Sequence, residues 1–82
     1  MTVKELFDSS IDFSWNDMIV FYYEKFPARC ITYEIPESFK GYQDIVSQAC
    51  KDKFATYLNL PVDTICAQKR NDEISVLIIS IL

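Results

Sequence analysis

The residues that most often carry chemistry in enzymes are sparse in this chain of 82 residues. It contains no histidine, so the commonest general base and the commonest zinc ligand are both missing. Its one glycine, Gly41, cannot form the glycine-rich loop that holds a phosphate group. Carboxylate pairs remain conceivable, but they catalyse only inside a shaped cleft, for which so short a chain leaves little room. We therefore expect a protein that is not an enzyme and needs no cofactor.

Three cysteines, Cys30, Cys50 and Cys66, are the next candidates for chemistry. They are odd in number and far apart, and none forms a C-x-x-C pair, so neither a disulfide framework nor a zinc site is indicated. A nucleophilic Cys66 would need a base to activate its thiol, and the chain has no histidine to supply one. We expect three reduced thiols packed in the core, which indicates a cytoplasmic setting.

Neighbouring acidic residues are only a weak indication of a binding site for a hard cation such as calcium. The pairs Asp12 with Asp17 and Asp72 with Glu73 lack the spacing of a calcium-binding loop. Adjacent acids at turns are ordinarily solvated. No metal site is predicted.

The balance of charge favours a protein partner. Twelve acidic and eight basic residues give a net charge of −4, and the basic residues are concentrated nowhere beyond Lys69 and Arg70. Nucleic-acid and membrane binders need a basic surface, and the final apolar run from Ile74 is too short to span a bilayer, so we expect neither partner. An acidic surface attracts basic protein surfaces, including clefts that hold nucleic acid, although so modest a charge could also serve only solubility.

Patterns of apolar residues predict one α+β domain over residues 1–82, with elements in the order αββαββ. Thr2 and Glu5 have the spacing of a capping box, which predicts a short helix over residues 3–9. Two β-hairpins are predicted, the first from residues 18–23 and 30–35 and the second from residues 62–70 and 73–82.

The strongest helical pattern extends from about Tyr42 to Leu58, after a separate turn at residues 36–40. Its apolar face is predicted to pack on the sheet through Ile45, Val46, Ala49, Cys50 and Phe54. The result is a four-stranded, mostly antiparallel sheet with this long helix on one face and the N-terminal helix over part of the other. The last strand is apolar on both faces, which predicts a central position covered on both sides.

Aromatic and acidic residues are interleaved around the first hairpin, as in surfaces that bind proteins. The aromatic residues are Trp15, Phe21, Tyr22, Tyr23, Phe26 and Tyr33. Alternation along the strands places Tyr22 on the face opposite Phe21 and Tyr33, which predicts that Tyr22 is available to a partner. The predicted partner-binding residues are Tyr22, Glu24, Glu34, Asp63, Asp72 and Glu73.

Four short pieces of the sequence, at residues 1–7, 35–37, 62–65 and 77–79, resemble small accessory proteins carried by phages and mobile elements of gut Firmicutes. Among such proteins are anti-CRISPR proteins, which this chain resembles in size and charge. They block a Cas nuclease by occupying its nucleic-acid-binding surface. The resemblance implies an inhibitor that acts in the cytoplasm of a bacterial host, and it carries over no individual binding residue.

Two other functions stay open at this point. The first is a structural or assembly module that forms a homodimer through a strand edge or through the apolar last hairpin. The second is a small enzyme, or a subunit that completes one.

Overall fold

The computed structural model describes residues 1–25, 30–70 and 74–81, in which the α+β class and the αββαββ order are confirmed. The helices and strands are α1 Val3–Asp8, β1 Met18–Tyr23, β2 Ile31–Glu34, α2 Gln43–Lys53, β3 Val62–Arg70 and β4 Ile74–Ile81. Short 3-10 helices precede and follow α2 at Glu37–Phe39 and Ala55–Tyr57, so the separate turn predicted at residues 36–40 is present.

The first helix, α1, begins with the predicted capping box. Thr2 Oγ1 accepts a hydrogen bond from the Glu5 N–H at 3.2 Å, and Glu5 Oε1 accepts one from the Thr2 N–H at 3.0 Å. A helix this short is marginal alone, so it needs tertiary contacts to persist. Its first N–H groups, on Val3 and Lys4, donate to carbonyl oxygens of residues 60 and 58, which hold α1 beside the segment that follows α2.

The four strands form one sheet in the order β2-β1-β4-β3. Both predicted hairpins are present, because β1 pairs antiparallel with β2 and β3 pairs antiparallel with β4. The hairpins join through a parallel pairing of β1 with β4, in which Ile19 lies opposite Leu77. This pairing makes the sheet mixed and places β4 in its interior, as predicted.

The main core lies between the sheet and α2. Val46, Cys50 and Phe54 are fully buried, and they repeat every four residues, which defines one stripe of a helix. The Phe54 ring packs 4.2 Å from that of Phe21 in β1, measured between centroids. Phe7 from α1 joins this cluster, with centroid distances of 6.0 Å to Phe21 and 6.3 Å to Phe54.

Both helices therefore pack on the same face of the sheet, and the prediction that α1 covers the opposite face was wrong. The backbone hydrogen bonds at Val3 and Lys4 explain the difference, because they tie α1 to the chain immediately after α2. Local sequence contains no signal for such a long-range tether.

The packing face of α2 is narrower than predicted. The helix ends at Lys53, since Phe54 has left the helical conformation with φ −108° and ψ 31°. Ala49 is half-buried, and Ile45 is 46% exposed, so its predicted place in the core was wrong. Ile45 is one residue, or about 100° of rotation, away from the stripe that begins at Val46.

The remaining face of the sheet, called the open face, carries the alternate residues of the same strands. They are Met18, Val20, Tyr22, Thr32, Glu34, Thr64, Cys66, Gln68, Val76, Ile78 and Ser80. Val76 is buried between its neighbours on adjoining strands, whereas Val20 and Ile78 are only half-buried. The prediction that β4 is covered on both sides was therefore wrong for this face.

Candidate protein-binding surfaces

The acidic residues predicted to bind a partner lie at two separate places. Glu34 ends β2 at the end of the sheet where β1 begins. At the opposite end of the sheet, the Glu24 N–H donates to the carbonyl oxygen of Ile81 at 3.3 Å. Asp63 lies at that same end, because it directly follows Val62, which pairs with Ile81. The structure thus divides the predicted acidic face. Two further predicted residues lie outside the described part of the chain, Asp72 and Glu73.

Tyr22 lies on the open face, as the alternation predicts, and is half-buried there. Phe21 and Tyr33 point to the core face, where both rings pack against Phe54 at centroid distances of 4.2 and 6.4 Å. Burial raises the pKa of the Tyr33 hydroxyl. Of these three aromatic residues, Tyr22 is the one on the face without helices.

Asp17 organises the end of the sheet where β1 and β4 begin. Its N–H donates to the Ser75 carbonyl oxygen and its Oδ2 accepts from the Ser75 N–H, both at 2.8 Å. Its own carbonyl oxygen accepts from the Ile35 N–H at 2.9 Å, so one residue connects β1, β4 and the end of β2. The Lys40 ammonium binds the Asp17 carboxylate, and this hydrogen bond is the main reason that the pKa of Asp17 is lowered. Asp17 thus has a structural role at this position.

Lys40 also pairs with Glu37 at 2.9 Å, and Glu34 lines the same shallow depression. Three acids and one base leave this end of the sheet negatively charged. Its depression is small and open to solvent, and its one cation is already paired twice. It contributes to the acidic surface without offering an aromatic anchor.

A second acidic surface combines charge with exposed aromatic residues. Trp15, Tyr42 and Ile45 are 69%, 61% and 46% exposed. Trp15 lies so close against Gly41 that a Cβ atom added to Gly41 would stand only 2.7 Å from Trp15 Cζ2. Gly41 has φ +85°, so both its backbone and the ring above it require glycine. We define the Trp15 surface as Trp15, Gly41, Tyr42 and Ile45 together with the acids Asp44 and Asp52.

The loop that carries Trp15 is held by hydrogen bonds to the start of α2. Gln43 Oε1 accepts from the Phe13 N–H at 3.0 Å, and Gln43 Nε2 donates to the Ile11 carbonyl oxygen at 3.1 Å. Within the loop, Asp12 Oδ1 accepts from the N–H and the hydroxyl of Ser14, which lowers the pKa of Asp12. Trp15 is therefore presented by an organised loop, which reduces the entropy lost when a partner binds it.

A shallow depression runs along the outer side of α2, the helix that begins directly after Tyr42. Its lining combines apolar residues with two acids and no base, namely Phe39, Asp44, Ile45, Gln48, Ala49 and Asp52. Scattered exposed apolar residues are normal on proteins, but a tryptophan and a tyrosine next to acids match the composition of protein-binding sites.

Sequence reasoning found only part of this surface. It included Trp15 among the aromatic candidates but favoured Tyr22, and it assigned Ile45 to the core. A usable signal was the repeat of Val46, Cys50 and Phe54, which already accounts for the packing stripe of α2 and leaves Ile45 outside it.

The thiols differ from the prediction of three shielded side chains. Cys50 is buried, and burial raises the pKa of its thiol to about 12. Cys30 and Cys66 are exposed, so the prediction was wrong for these two. None of the three forms a disulfide. The position of Cys66 is explained by its strand, because β3 lies at an edge of the sheet formed by the described residues.

Within residues 1–25, 30–70 and 74–81, no cluster of three or more cysteine, aspartate or glutamate side chains is placed to hold a metal ion. Over the same described ranges, no helix has the length and apolar character needed to cross a membrane.

Comparison with protein-family models, with curated proteins and with solved structures finds no match to this chain.

Proposed function

We propose that this protein is a non-catalytic inhibitor that binds a basic surface of a protein partner. The observation that carries the proposal is the Trp15 surface, which combines the largely exposed Trp15 and Tyr42 with two exposed acids of α2. Large aromatic rings contribute much of the affinity at interfaces, and charge orients the partner and speeds its approach.

The distribution of ion pairs supports this assignment. Asp8 binds the ammonium groups of Lys4 and Lys51 at 2.8 and 2.7 Å, and Lys40 is held by two other acids. Among the described residues, no ion pair neutralises Asp44 or Asp52. Their charges, part of a net charge of −4, therefore remain available to a basic partner.

The resemblance to accessory proteins of phages and mobile elements leads us to propose a Cas nuclease as the specific partner, in the cytoplasm of a bacterial host. Such nucleases hold guide RNA and target DNA in a positively charged channel. An acidic protein with aromatic anchors would occupy that channel and exclude the nucleic acid, without contacting nucleic acid itself.

The test is binding to a panel of purified Cas effectors, followed by competition with their guide RNA and target DNA. We expect at least one effector to bind this protein and to release target DNA in proportion to the amount of protein bound. Association of the two proteins should slow as salt shortens the screening length below about 10 Å. Trp15→Ala should weaken binding by roughly thirtyfold or more, as expected for an interface hot spot worth about 2 kcal/mol or more.

Matched charge-reversal variants test whether the partner binds at the Trp15 surface. Asp44→Lys with Asp52→Lys should weaken binding, whereas Glu24→Lys with Asp63→Lys, which makes the same change of charge elsewhere, should not. Circular dichroism establishes that each variant is folded. Tight binding that ignores salt and both double reversals would contradict the acidic-surface mechanism. Failure of every Cas effector to bind would remove the nuclease as the partner.

A further inference from the structure

Within the part of the chain that the structure describes, strand β3 lies at one edge of the sheet and β4 is the one strand that pairs with it. Residues 63–69 are all exposed, and Ile65 shows 42% of its surface to solvent. The strand is nine residues long and holds its only charged residues near its ends. An edge of this kind has a row of unpaired N–H and C=O groups and is a template for another strand.

The start of this edge is already occupied by the N-terminus. The Val62 N–H donates to the Met1 carbonyl oxygen at 2.8 Å, and Thr2 forms a bridge with Pro61. A bulge then interrupts the β3–β4 pairing between Val62 and Thr64. Any added strand must therefore pair beyond Val62.

We infer that the partner for this edge is a second copy of the same chain, paired antiparallel about a two-fold axis at Cys66. This register places Thr64 opposite Gln68 and Ile65 opposite Ala67. It also brings Asp63 of each copy next to Lys69 of the other, at both ends of the interface. The edge is therefore complementary to itself in charge, which a two-fold interface requires.

Neighbouring registers of the same type fit less well. An axis at Ile65 would carry the second copy's strand past Val62, whose N–H is already bonded to Met1, and onto Pro61, which bridges Thr2. The axis at Cys66 brings only Arg70, the last residue of β3, opposite Val62. An axis at Ala67 would place Ile65 opposite Lys69 and leave Asp63 without a basic neighbour. The axis at Cys66 places an acidic residue next to a basic one at both ends of the interface.

The same register covers apolar surface. Residues directly opposite one another in an antiparallel pair lie on the same face of the sheet. Ile65 and Ala67 share the face of Leu77 and Ile79, so each Ile65 would pack on the Ala67 of the second copy. Two Cys66 side chains would meet on the open face. Because edge pairing buries a small area, we expect a weak dimer that forms at high protein concentration.

This dimer is independent of the proposed inhibitor function, because it uses no residue of the Trp15 surface. Sedimentation measures it without any partner, so its failure and the failure of partner binding are separate results.

The first test is analytical ultracentrifugation over a range of protein concentrations. We expect a monomer–dimer equilibrium that Asp63→Lys or Lys69→Asp alone weakens by roughly tenfold, since two cross-strand pairs change from attraction to repulsion. The double variant should recover most of the loss. Asp52→Lys and Lys53→Asp, the same changes on α2, should leave the equilibrium unaltered.

The second test is crosslinking with a short bifunctional thiol reagent. We expect a covalent dimer that Cys66→Ser abolishes and Cys30→Ser retains. A chain that stays monomeric at every concentration would overturn the inference. A dimer unaffected by either reversal, or one crosslinked through Cys30, would overturn the register.

Discussion

The core face and the open face are made of alternate residues of the same strands, yet they are buried to different degrees. Ile19, Phe21 and Ile79 point toward the helices and are buried, whereas Val20, Tyr22 and Ile78 point away and are half-buried. All six are apolar or aromatic. The difference teaches that alternation decides which residues share a face, while the placement of the helices decides which face becomes the core.

Placement of the helices depends on few contacts. The hydrogen bonds from Val3 and Lys4 to the chain after α2 keep α1 on the same side as α2. Ser47 Oγ in α2 also donates a hydrogen bond to the Phe7 carbonyl oxygen in α1. With both helices on one side, the other side of the sheet keeps its apolar residues close to solvent.

The largest effect should come from the core face. Phe54→Ala removes a fully buried ring that contacts Phe7, Phe21 and Tyr33, and should lower the free energy of unfolding by about 3–5 kcal/mol. Chemical denaturation measures the change. Ile45→Ala on the exposed side of α2, the helix that ends directly before Phe54, is the control, with an expected cost below about 1 kcal/mol. Equal costs would mean that the packing face of α2 is assigned incorrectly.

A sharper comparison uses two neighbours in β4. Ile79→Ala empties a fully buried site on the core face and should cost about 2–5 kcal/mol. Ile78→Ala makes the same chemical change on the open face, where the side chain is half-buried, and should cost about 1 kcal/mol. Chemical denaturation of both variants under identical conditions gives the ratio of the two losses in the free energy of unfolding. A larger cost at Ile78 would show that something covers the open face in solution.

The smallest change to the molecule is chemical labelling of the thiols. Cys66 is exposed on β3, so a thiol reagent should label it rapidly in the folded protein. Cys50 should react only on unfolding, because it is buried and its pKa is raised to about 12. Mass spectrometry of peptides from samples taken over time identifies each site. Rapid labelling of Cys50 under native conditions would contradict the packing of α2 on the sheet.

Much of the fold could be predicted because it depends on local patterns. The capping box at Thr2 and Glu5, both hairpins and the order of elements are signals of neighbouring residues, and all are present. The side of the sheet that α1 occupies could not be predicted, since it depends on hydrogen bonds from Val3 and Lys4 to residues 60 and 58, far along the chain. The parallel pairing of β1 with β4 is likewise a contact between distant segments.

The candidate site divides in the same way. Composition alone predicts an acidic protein, and the aromatic content around the first hairpin brings Trp15 into consideration. Its exposure next to Tyr42 follows from a contact with Gly41, 26 positions along the chain, and from the side chain of Gln43 that holds the loop. The acids predicted as one face are separated because the sheet places Glu34 and Asp63 at different ends and edges.

The sequence by itself determined the α+β class, the elements, the net charge and the face of each strand residue, because these follow from composition and from periods of two and 3.6 residues. Only the tertiary structure decided which face is buried, which acids lie together and which strands lie at the edges of the sheet. These features depend on where distant segments meet. Because β4 has apolar residues on both faces, its sequence would allow either face to form the core. The core face is buried because α2 packs on it, and the tethers at Val3 and Lys4 bring α1 to the same side.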